Sequence, residues 1–264
     1  MANTYWQDRQ AAAQAKITEL KVKETEKLLE KQYLQSMRRV ISEFEATYDK
    51  LVATAANGVP LTPADLYKLD RYWQMEGQLR LELEKLGNKQ AQILAKKFLE
   101  EYTEIYRAIA IKDNLFFGEV DTKAAQQIIN SIWCADGKSW SQRIWDNIDL
   151  LQQTLNDNLV DCVITGKPTT ELKQMLTERF GVSYSKADSL VRTELAHIQT
   201  QAAAQRYKDY GLTYYEFMGR DEHDIGCECK KLDGKKFLYA EMVIGKNAPP
   251  LHPRCRCCIV PVVD

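Results

Sequence analysis

Cysteine and histidine cluster in about the last forty positions, and no other part of the sequence points more clearly to a chemical role. Five of the seven cysteines and two of the three histidines follow residue 222. Cys227 and Cys229 form a first pair, and His252, Cys255 and Cys257 follow about two dozen residues later. Two short sets of thiol and imidazole groups, separated in this way, are typical of a structural tetrahedral zinc site. Such a site can stabilise a segment that is too small to bury much apolar surface.

The sequence therefore predicts a bound Zn²⁺ ion, but it leaves the ligand set open. The candidate ligands are Cys227, Cys229, His252, Cys255 and Cys257. Five cysteines and His223 compete for four positions, and one residue separates the first pair where zinc knuckles usually have two. A disulfide and a cluster of free thiols remain as alternatives. The odd number of cysteines, without a readable signal peptide, favours a reducing cytoplasm.

No arrangement of residues predicts catalysis. The sequence has neither an HExxH pair nor an H-x-E box followed by P-C-x-x-C, so a catalytic zinc is not indicated. His197 has Thr193 four residues before it on a predicted helix, but a threonine nucleophile usually needs an N-terminal amine as its base. We therefore expect no enzymatic activity and interpret His197 as a helix-surface or interface residue. Arg192 and Glu194 are expected either to form a solvated charged face or to pair with the cysteine-rich end.

Composition favours a globular protein without membrane contact. Charged residues make up 28% and hydrophobic residues 45% of the chain, and the net charge is −1. No apolar run approaches the roughly 18–20 residues that cross a bilayer. The near-neutral charge argues against a general nucleic-acid coat. Basic residues near the cysteines leave a weak, non-specific DNA contact open, although acidic neighbours offset most of their charge.

The first fifty residues predict one long amphipathic helix. Residues 5–56 contain neither glycine nor proline, and Gly58-Val-Pro60 follows them. One apolar stripe recurs at steps of three and four: Tyr33, Met37, Ile41, Phe44, Tyr48 and Leu51. Before residue 28 this stripe thins to Ile17 and Leu20. The N-terminal turns are therefore expected to be solvated or packed on a partner.

The remaining pattern predicts more helices and then a short change to strands. A second helix is expected to begin at Pro63, with Thr62 as its cap, and to break at Gly87-Asn88. Further helices are expected to cover about 89–111, 122–133, 142–164, 170–179 and 186–209. The last two are separated by a capping box at Ser185–Asp188, and Gly211 is the expected stop. Strands are expected at 214–217, 236–239 and 258–263, with Pro261 marking an edge strand. Cys134 and Cys162, single in helical contexts, are expected to be core thiols.

The predicted fold class is mainly α. A long N-terminal helical arm and a helical middle precede a small Cys/His-rich α+β C-terminal subdomain. We assign residues 1–112 to an N-terminal helical domain, 113–211 to a helical middle and 212–264 to the cysteine-rich end. The proposed boundary is the loop at 113–120, which holds Phe116-Phe117-Gly118.

Several segments together resemble one protein family, the phage head morphogenesis or Mu F-like minor capsid family, in the form found in phages of Gram-positive bacteria. The segments are Tyr5-Trp6-x-x-Arg9, Ser141–Trp145, Leu190–Glu194, Leu232-Asp233-Gly234-Lys235-x-Phe237 and Pro249–Cys257. Two positions depart from the family pattern. Asp221-Glu-His223 stands where Asp-x-Arg is expected, and Gly226 stands at the usual first cysteine. Cys229 therefore matches directly, and Cys227 only by a shift.

The resemblance implies a minor structural protein of a tailed-phage head, present in few copies and associated with the portal vertex. Such proteins are implicated in head assembly and in handling packaged DNA at ejection. The implied partner is the phage portal protein, with the major capsid or scaffolding protein as further candidates. The implied location is the virion, in the head interior near the portal, after synthesis in the bacterial cytoplasm. The alternative is a Mu F-like toxin-related enzyme, an ADP-ribosyltransferase or nuclease, whose activity normally lies in an added C-terminal domain for which residues after Cys257 leave no room.

Overall fold

The computed structural model describes residues 5–55, 62–67, 70–109, 119–219 and 227–262. Three features of the sequence analysis lie outside these ranges. They are the helix stop at Gly58–Pro60, most of the proposed boundary loop at 113–120, and the segment 221–226 with its departures from the family pattern.

Long helices dominate the described residues, and three short strands follow them, as the predicted fold class requires. The helices are α1 (Tyr5–Ala55), α2 (Pro63–Leu66), α3 (Asp70–Ala108), α4 (Thr122–Ile129), α5 (Trp140–Thr165), α6 (Thr169–Asp209) and α7 (Glu228–Leu232). The strands are β1 (Tyr214–Met218), β2 (Lys236–Leu238) and β3 (Cys258–Pro261), and a 3₁₀ turn at Tyr239–Glu241 follows β2. No helix among the described residues is long and apolar enough to span a membrane.

The predicted helix break at Gly87-Asn88 is wrong, since α3 runs through it without interruption. A Cβ atom at Gly87 would lie 2.8 Å from Cζ3 of Trp145 on α5. The glycine therefore marks a close approach of two helices rather than a helix end. Packing against Trp145 offsets the roughly 1 kcal/mol that glycine costs in a helix interior.

The predicted gap between residues 179 and 186 is also absent, because α6 is one helix from Thr169 to Asp209. The box at Ser185–Asp188 lies inside it and caps nothing. Phe180, Ser183 and Ala187 are all buried around this point. Burial of a continuous face stabilises the helix more than the local capping signal weakens it. The stop at Gly211 is confirmed by its positive φ of 75°.

The predicted helix over 122–133 ends earlier, at Ile129, and this moves Cys134 out of a helix. Asn130 is the C-cap, and its backbone N–H donates to the carbonyl of Gln126. Cys134 lies half-buried in the turn that follows, so the prediction of a core thiol is wrong for this residue. Cys162 is 3% exposed, as predicted.

The three strands form one antiparallel sheet in the order β2-β1-β3. Tyr215 pairs with Pro261 and Phe217 with Ile259, and both side chains of β1 are fully buried. β3 lies at an edge, as Pro261 predicted, because proline cannot donate to a further strand.

The chain divides into two compact units. One comprises Met1–Glu26, Ile93–Trp140 and Asp188–Asp264, and the other comprises Lys27–Gln92 and Ser141–Ala187. Helices α1, α3 and α6 each contribute residues to both units. The three ranges predicted from the sequence follow the order of motifs along the chain and remain a prediction.

The apolar stripe of α1 belongs to the second unit, where Tyr33, Phe44 and Tyr48 are buried. The Tyr48 hydroxyl lies 2.9 Å from the carbonyl oxygen of Cys162 and 2.8 Å from that of Lys167. This unit confirms the stripe at these three positions, whereas Met37 and Ile41 are half-buried and the Leu51 side chain lies outside what the structure describes.

The N-terminal turns of α1 belong to the first unit, and polar side chains attach them to the sheet of the same chain. Gln14 Nε2 donates to the carbonyl oxygen of Ile259 at 3.0 Å, and Gln7 Nε2 donates to that of Pro261 at 3.3 Å. The expectation that these turns are solvated or packed on a partner is therefore wrong for this face. Apolar periodicity missed the contact because the buried residues are glutamines.

Candidate metal centre

The cysteines of the C-terminal end meet beneath β1. Cys227 is the N-cap of α7, and Cys229 lies in the first turn of that helix. Cys255 and Cys257 approach from the segment that precedes β3, and they form one buried cluster with Cys229 and Phe217. The sheet and the short helix therefore bring the two sequence pairs together, as the clustering predicted.

Two overlapping groups of potential ligands lie in this cluster. Cys227, Cys229 and His252 have ligand atoms within 4.8 Å of one another, and so do Cys229, Cys255 and Cys257. Cys229 belongs to both groups. All five residues predicted from the sequence are thus present, and the neighbouring Cys258 is part of neither group.

The distance between two of these sulfurs fits a tetrahedral metal. Cys229 Sγ and Cys255 Sγ are 3.7 Å apart. Two thiolates on one tetrahedral zinc lie about 3.8 Å apart, since each Zn–S bond is about 2.3 Å long. A disulfide would require about 2.05 Å, and all seven cysteines are free. The same distance also suits a weak S–H···S contact, so it shows that a metal fits without identifying one.

The loop that carries His252 is shaped for coordination. His252 Nδ1 is 2.9 Å from the carbonyl oxygen of Pro253. A carbonyl only accepts, so Nδ1 carries the proton and Nε2 carries the lone pair that a metal would use. The Cys255 amide donates to the His252 carbonyl at 3.2 Å, which closes the loop over the cluster.

One thiol in the cluster is prepared to be a thiolate. The Cys257 thiol donates a hydrogen bond to the Cys255 sulfur, and this contact, with backbone amide hydrogen bonds, lowers the pKa of Cys255 although burial opposes the change. The same hydrogen bond raises the pKa of Cys257, and burial raises that of Cys229. Metal ligation needs deprotonated sulfur, and a cation at this position would favour deprotonation of the other two.

Helix α6 holds the ligand loop through residues that the sequence analysis did not select. The Arg254 amide donates to Thr193 Oγ1 at 3.1 Å, and the Arg254 guanidinium donates to Asp188 Oδ2 at 2.6 Å. Arg192 forms ion pairs with Glu26 and Asp188. From the sequence, Arg192 or Glu194 was expected to pair with the cysteine-rich end. In the structure, Thr193 and Asp188 make the contacts with Arg254 of that end.

His197 and Glu194 are buried inside the first unit, so of the two interpretations of His197, as a helix-surface or an interface residue, the helix-surface one is wrong. His197 is 0% and Glu194 2% exposed. Trp133 stacks on the His197 ring at 4.6 Å, and its indole N–H donates to Glu194 Oε2 at 3.0 Å. Burial lowers the pKa of His197 to about 3, which keeps the ring neutral. Trp133 lies in an irregular connection, so no periodic pattern in the sequence indicates this packing.

A cleft of about 350 Å³ adjoins the ligand loop. Its lining includes Arg192, Arg254, Arg256 and Cys255, and the face of α1 from Ala15 to Glu26. Arg192 and Arg254 are both engaged by carboxylates, as described above. Their charge is therefore largely balanced within the protein, which limits the attraction of this cleft for phosphate.

Comparison with known proteins finds similarity over part of the chain. Residues 153–260 match the family described as phage Mu protein F like protein. The NAD(+)–arginine ADP-ribosyltransferase EFV of Enterococcus faecalis is 27% identical over 143 residues, which is 48% of this chain but 29% of that protein. The chain thus spans under a third of that relative's length. No solved structure matches. The matched region, residues 153–260, contains all of α6, strands β1 and β2 and all five candidate ligands, and it is similar to the phage Mu F-like family that the sequence motifs predicted.

Proposed function

We propose that this chain is a minor structural protein of a tailed-phage head, located at the portal vertex and acting in head assembly or in the handling of packaged DNA at ejection. The observation that supports it most is the family match over residues 153–260, which includes the whole candidate metal centre. Membership of a head morphogenesis family implies a location in the virion.

The interior of the first unit supports a structural role. Among the described residues, Glu194 and His197 are a buried acid and imidazole near each other, with Nδ1 and Oε2 3.9 Å apart. Neither has access to substrate, because both are almost fully buried and Trp133 covers the imidazole ring. A general base needs to lie within hydrogen-bond reach of the group that it deprotonates.

The proposed metal is a structural Zn²⁺ ion. Cys229, Cys255 and Cys257 would hold it, with Cys227 or His252 as the fourth ligand. The segment from 227 to 262 has two short strands, one short helix and a 3₁₀ turn, so the burial of apolar surface within it is small. Four ligands would tie α7 to the loop before β3 and supply folding free energy locally.

The direct test is co-expression of the tagged chain with the portal and major capsid proteins of the same phage. We expect the portal protein to co-purify at 150 mM salt and the major capsid protein not to. Retention of the capsid protein alone would move the proposed location away from the portal. Retention of neither, from a correctly folded chain, would contradict the proposal.

A second candidate function rests on the name of the E. faecalis relative, an NAD(+)–arginine ADP-ribosyltransferase. Transfer to arginine releases nicotinamide, so the purified chain can be incubated with NAD⁺ and agmatine, an arginine analogue. We expect no nicotinamide release above the uncatalysed rate. Turnover that is lost in Glu194→Gln would instead support the enzyme and replace the structural proposal.

A further inference from the structure

A continuous chain of buried and half-buried side chains links three helices to the edge strand. Gln14 Nε2 donates to the Ile259 carbonyl oxygen at 3.0 Å, and Gln199 Nε2 donates to Gln14 Oε1 at 3.3 Å. Thr18 Oγ1 lies 2.7 Å from Gln199 Oε1 and 2.5 Å from Glu101 Oε1. In order along this chain, Ile259 lies on β3, Gln14 and Thr18 on α1, Gln199 between them on α6, and Glu101 at the end on α3.

The direction of every hydrogen bond in this chain is fixed from one end. The Ile259 carbonyl can only accept, so Gln14 must present its NH₂ group there and its oxygen to Gln199. Gln199 must then present NH₂ to Gln14 and its oxygen to Thr18. Turning the Gln14 amide over would instead press two oxygens together at 3.0 Å. The Thr18 hydroxyl, with its single hydrogen, therefore donates to Gln199.

The last contact of the chain then lacks a hydrogen unless Glu101 supplies it. Thr18 Oγ1 and Glu101 Oε1 are 2.5 Å apart, and the Thr18 hydrogen is already used. We propose that Glu101 is a neutral carboxylic acid in the folded protein. Its proton completes the hydrogen-bonded chain from Ile259 to Glu101, called the lock below, which holds the N-terminal turns of α1 on α3, α6 and β3. Loss of this proton leaves two oxygens facing each other and loosens the lock.

The surroundings of Glu101 agree with a neutral acid. The residue is 0% exposed, and its Oε2 has no hydrogen-bond partner within the described part of the chain. Lys21 of α1 is the cation that acts on it, but the Lys21 ammonium is held by Glu104 at 2.7 Å and Glu100 at 3.4 Å, both on α3. Burial raises the pKa of Glu101 to about 8, and the charge of Lys21 opposes this change only in part.

The sign of the pH dependence follows from this proton. An unfolded glutamate has a pKa of about 4.3, so between about pH 4.5 and 8 the folded protein holds a proton that the unfolded chain has lost. The folded state is then favoured less as pH rises, by up to about tenfold in the unfolding equilibrium per pH unit. Above about pH 8 this contribution becomes constant.

The test is the titration of the Glu101 carboxyl carbon by ¹³C NMR in the wild-type chain, with the resonance assigned by its loss in Glu101→Gln. We expect a midpoint between pH 7 and 9. A midpoint near pH 4–5 would overturn the proposal. This measurement does not depend on the stability of the variant, provided that the resonance is assigned by other means if Glu101→Gln does not fold.

A second measurement tests the lock itself. Glu101→Gln retains a donor to Thr18, and Glu104→Gln is the matched control on the same helix, where the carboxylate is half-exposed. Hydrogen exchange of residues 5–26 should be equal in wild type and Glu101→Gln at pH 6. At pH 9 it should be slower in Glu101→Gln than in wild type or in Glu104→Gln. Equal exchange in all three proteins at pH 9 would contradict a proton-dependent lock.

Discussion

At the scale of single residues, Cys229 decides whether the cluster can hold a metal. It is the residue common to both ligand groups, whereas every other member belongs to one. Loss of Cys227 or His252 leaves the group of Cys229, Cys255 and Cys257 intact. Loss of Cys255 or Cys257 leaves the group of Cys227, Cys229 and His252 intact. Only a change at Cys229 breaks both groups at once.

We therefore expect Cys229→Ala to lose the metal and Cys258→Ala to keep it. Cys258 is a matched control because it is also buried, at 7% exposure, but belongs to neither group. Metal analysis of proteins purified without chelator should give about one zinc per chain for wild type and the control, and close to none for Cys229→Ala. Wild-type zinc content in Cys229→Ala, or none in the wild type, would refute the proposed centre.

The indole of Trp133 gives a second prediction at this scale. Trp133→Phe keeps an aromatic ring over His197 but removes a donor to the buried Glu194 carboxyl. We expect a loss of about 1–3 kcal/mol in the free energy of unfolding, measured by urea denaturation. Trp73→Phe, at a tryptophan that is 53% exposed, should cost less than about 1 kcal/mol. Equal effects would show that the Glu194 contact contributes little.

The sequence predicted the candidate ligands that the structure brings together, but not the residues that hold their loop in place. Cysteine and histidine are rare enough that their spacing alone indicates a site. Thr193, Asp188 and Glu101 belong to common residue types, and each acts through a contact with a residue more than sixty positions away. Such pairings depend on tertiary structure and leave no periodic signal in the sequence.

At the scale of elements, a glycine within a helix either allows close contact with a neighbouring helix or only lowers helix stability, and its packing distinguishes the two cases. Gly87 and Gly77 both lie within α3, although the sequence analysis predicted a helix break at Gly87-Asn88 and none at Gly77. A Cβ atom at Gly87 would meet Trp145 at 2.8 Å, whereas one at Gly77 would meet nothing within 4 Å. The first is a contact between helices, and the second is only a weak helix former.

These two glycines should therefore respond to alanine with opposite signs. Gly77→Ala should stabilise the protein by up to about 1 kcal/mol, because alanine is the better helix former. Gly87→Ala should destabilise it by about 1–3 kcal/mol, because the added methyl overpacks the contact with Trp145. Thermal unfolding of both variants checks this. A stabilised Gly87→Ala would mean that the Trp145 ring moves aside at little cost.

The existence and type of most elements followed from the sequence, and their boundaries did not. The long first helix and the three strands are as predicted, because apolar periodicity and turn residues both indicate them. The breaks at Gly87 and at Ser185–Asp188 were local signals that burial overrode. The helical end predicted for 130–133 failed because Asn130 caps the helix there.

At the scale of the whole molecule, the contact with the portal protein remains a proposal. Whether the N-terminal part of α1 makes this contact is tested better by a point substitution than by deleting the N-terminal turns. Residues 7 and 14 bind the sheet of their own chain, so deleting the N-terminal turns would damage that sheet as well as any docking surface. Leu20 is a better probe, because its side chain is 51% exposed on α1.

We expect Leu20→Glu to reduce co-purification with the portal protein at least tenfold while changing the free energy of unfolding by less than about 0.5 kcal/mol. Leu150→Glu, at a leucine that is 45% exposed on α5, should bind as wild type. Undiminished binding by Leu20→Glu would show that this face of α1 does not dock on the portal.

The bond between Gln7 and Pro261 also has a consequence for biosynthesis. The two residues are 254 positions apart, so the first turn of α1 leaves the ribosome long before the strand that it binds. At about 5–20 residues per second, the delay is roughly 13–50 s. During that interval the helix has no sheet to receive its glutamines. Residues near Pro261 therefore complete the unit that residues near Gln7 begin, and a ribosome that stalls before residue 261 holds a chain whose N-terminal helix is still unattached.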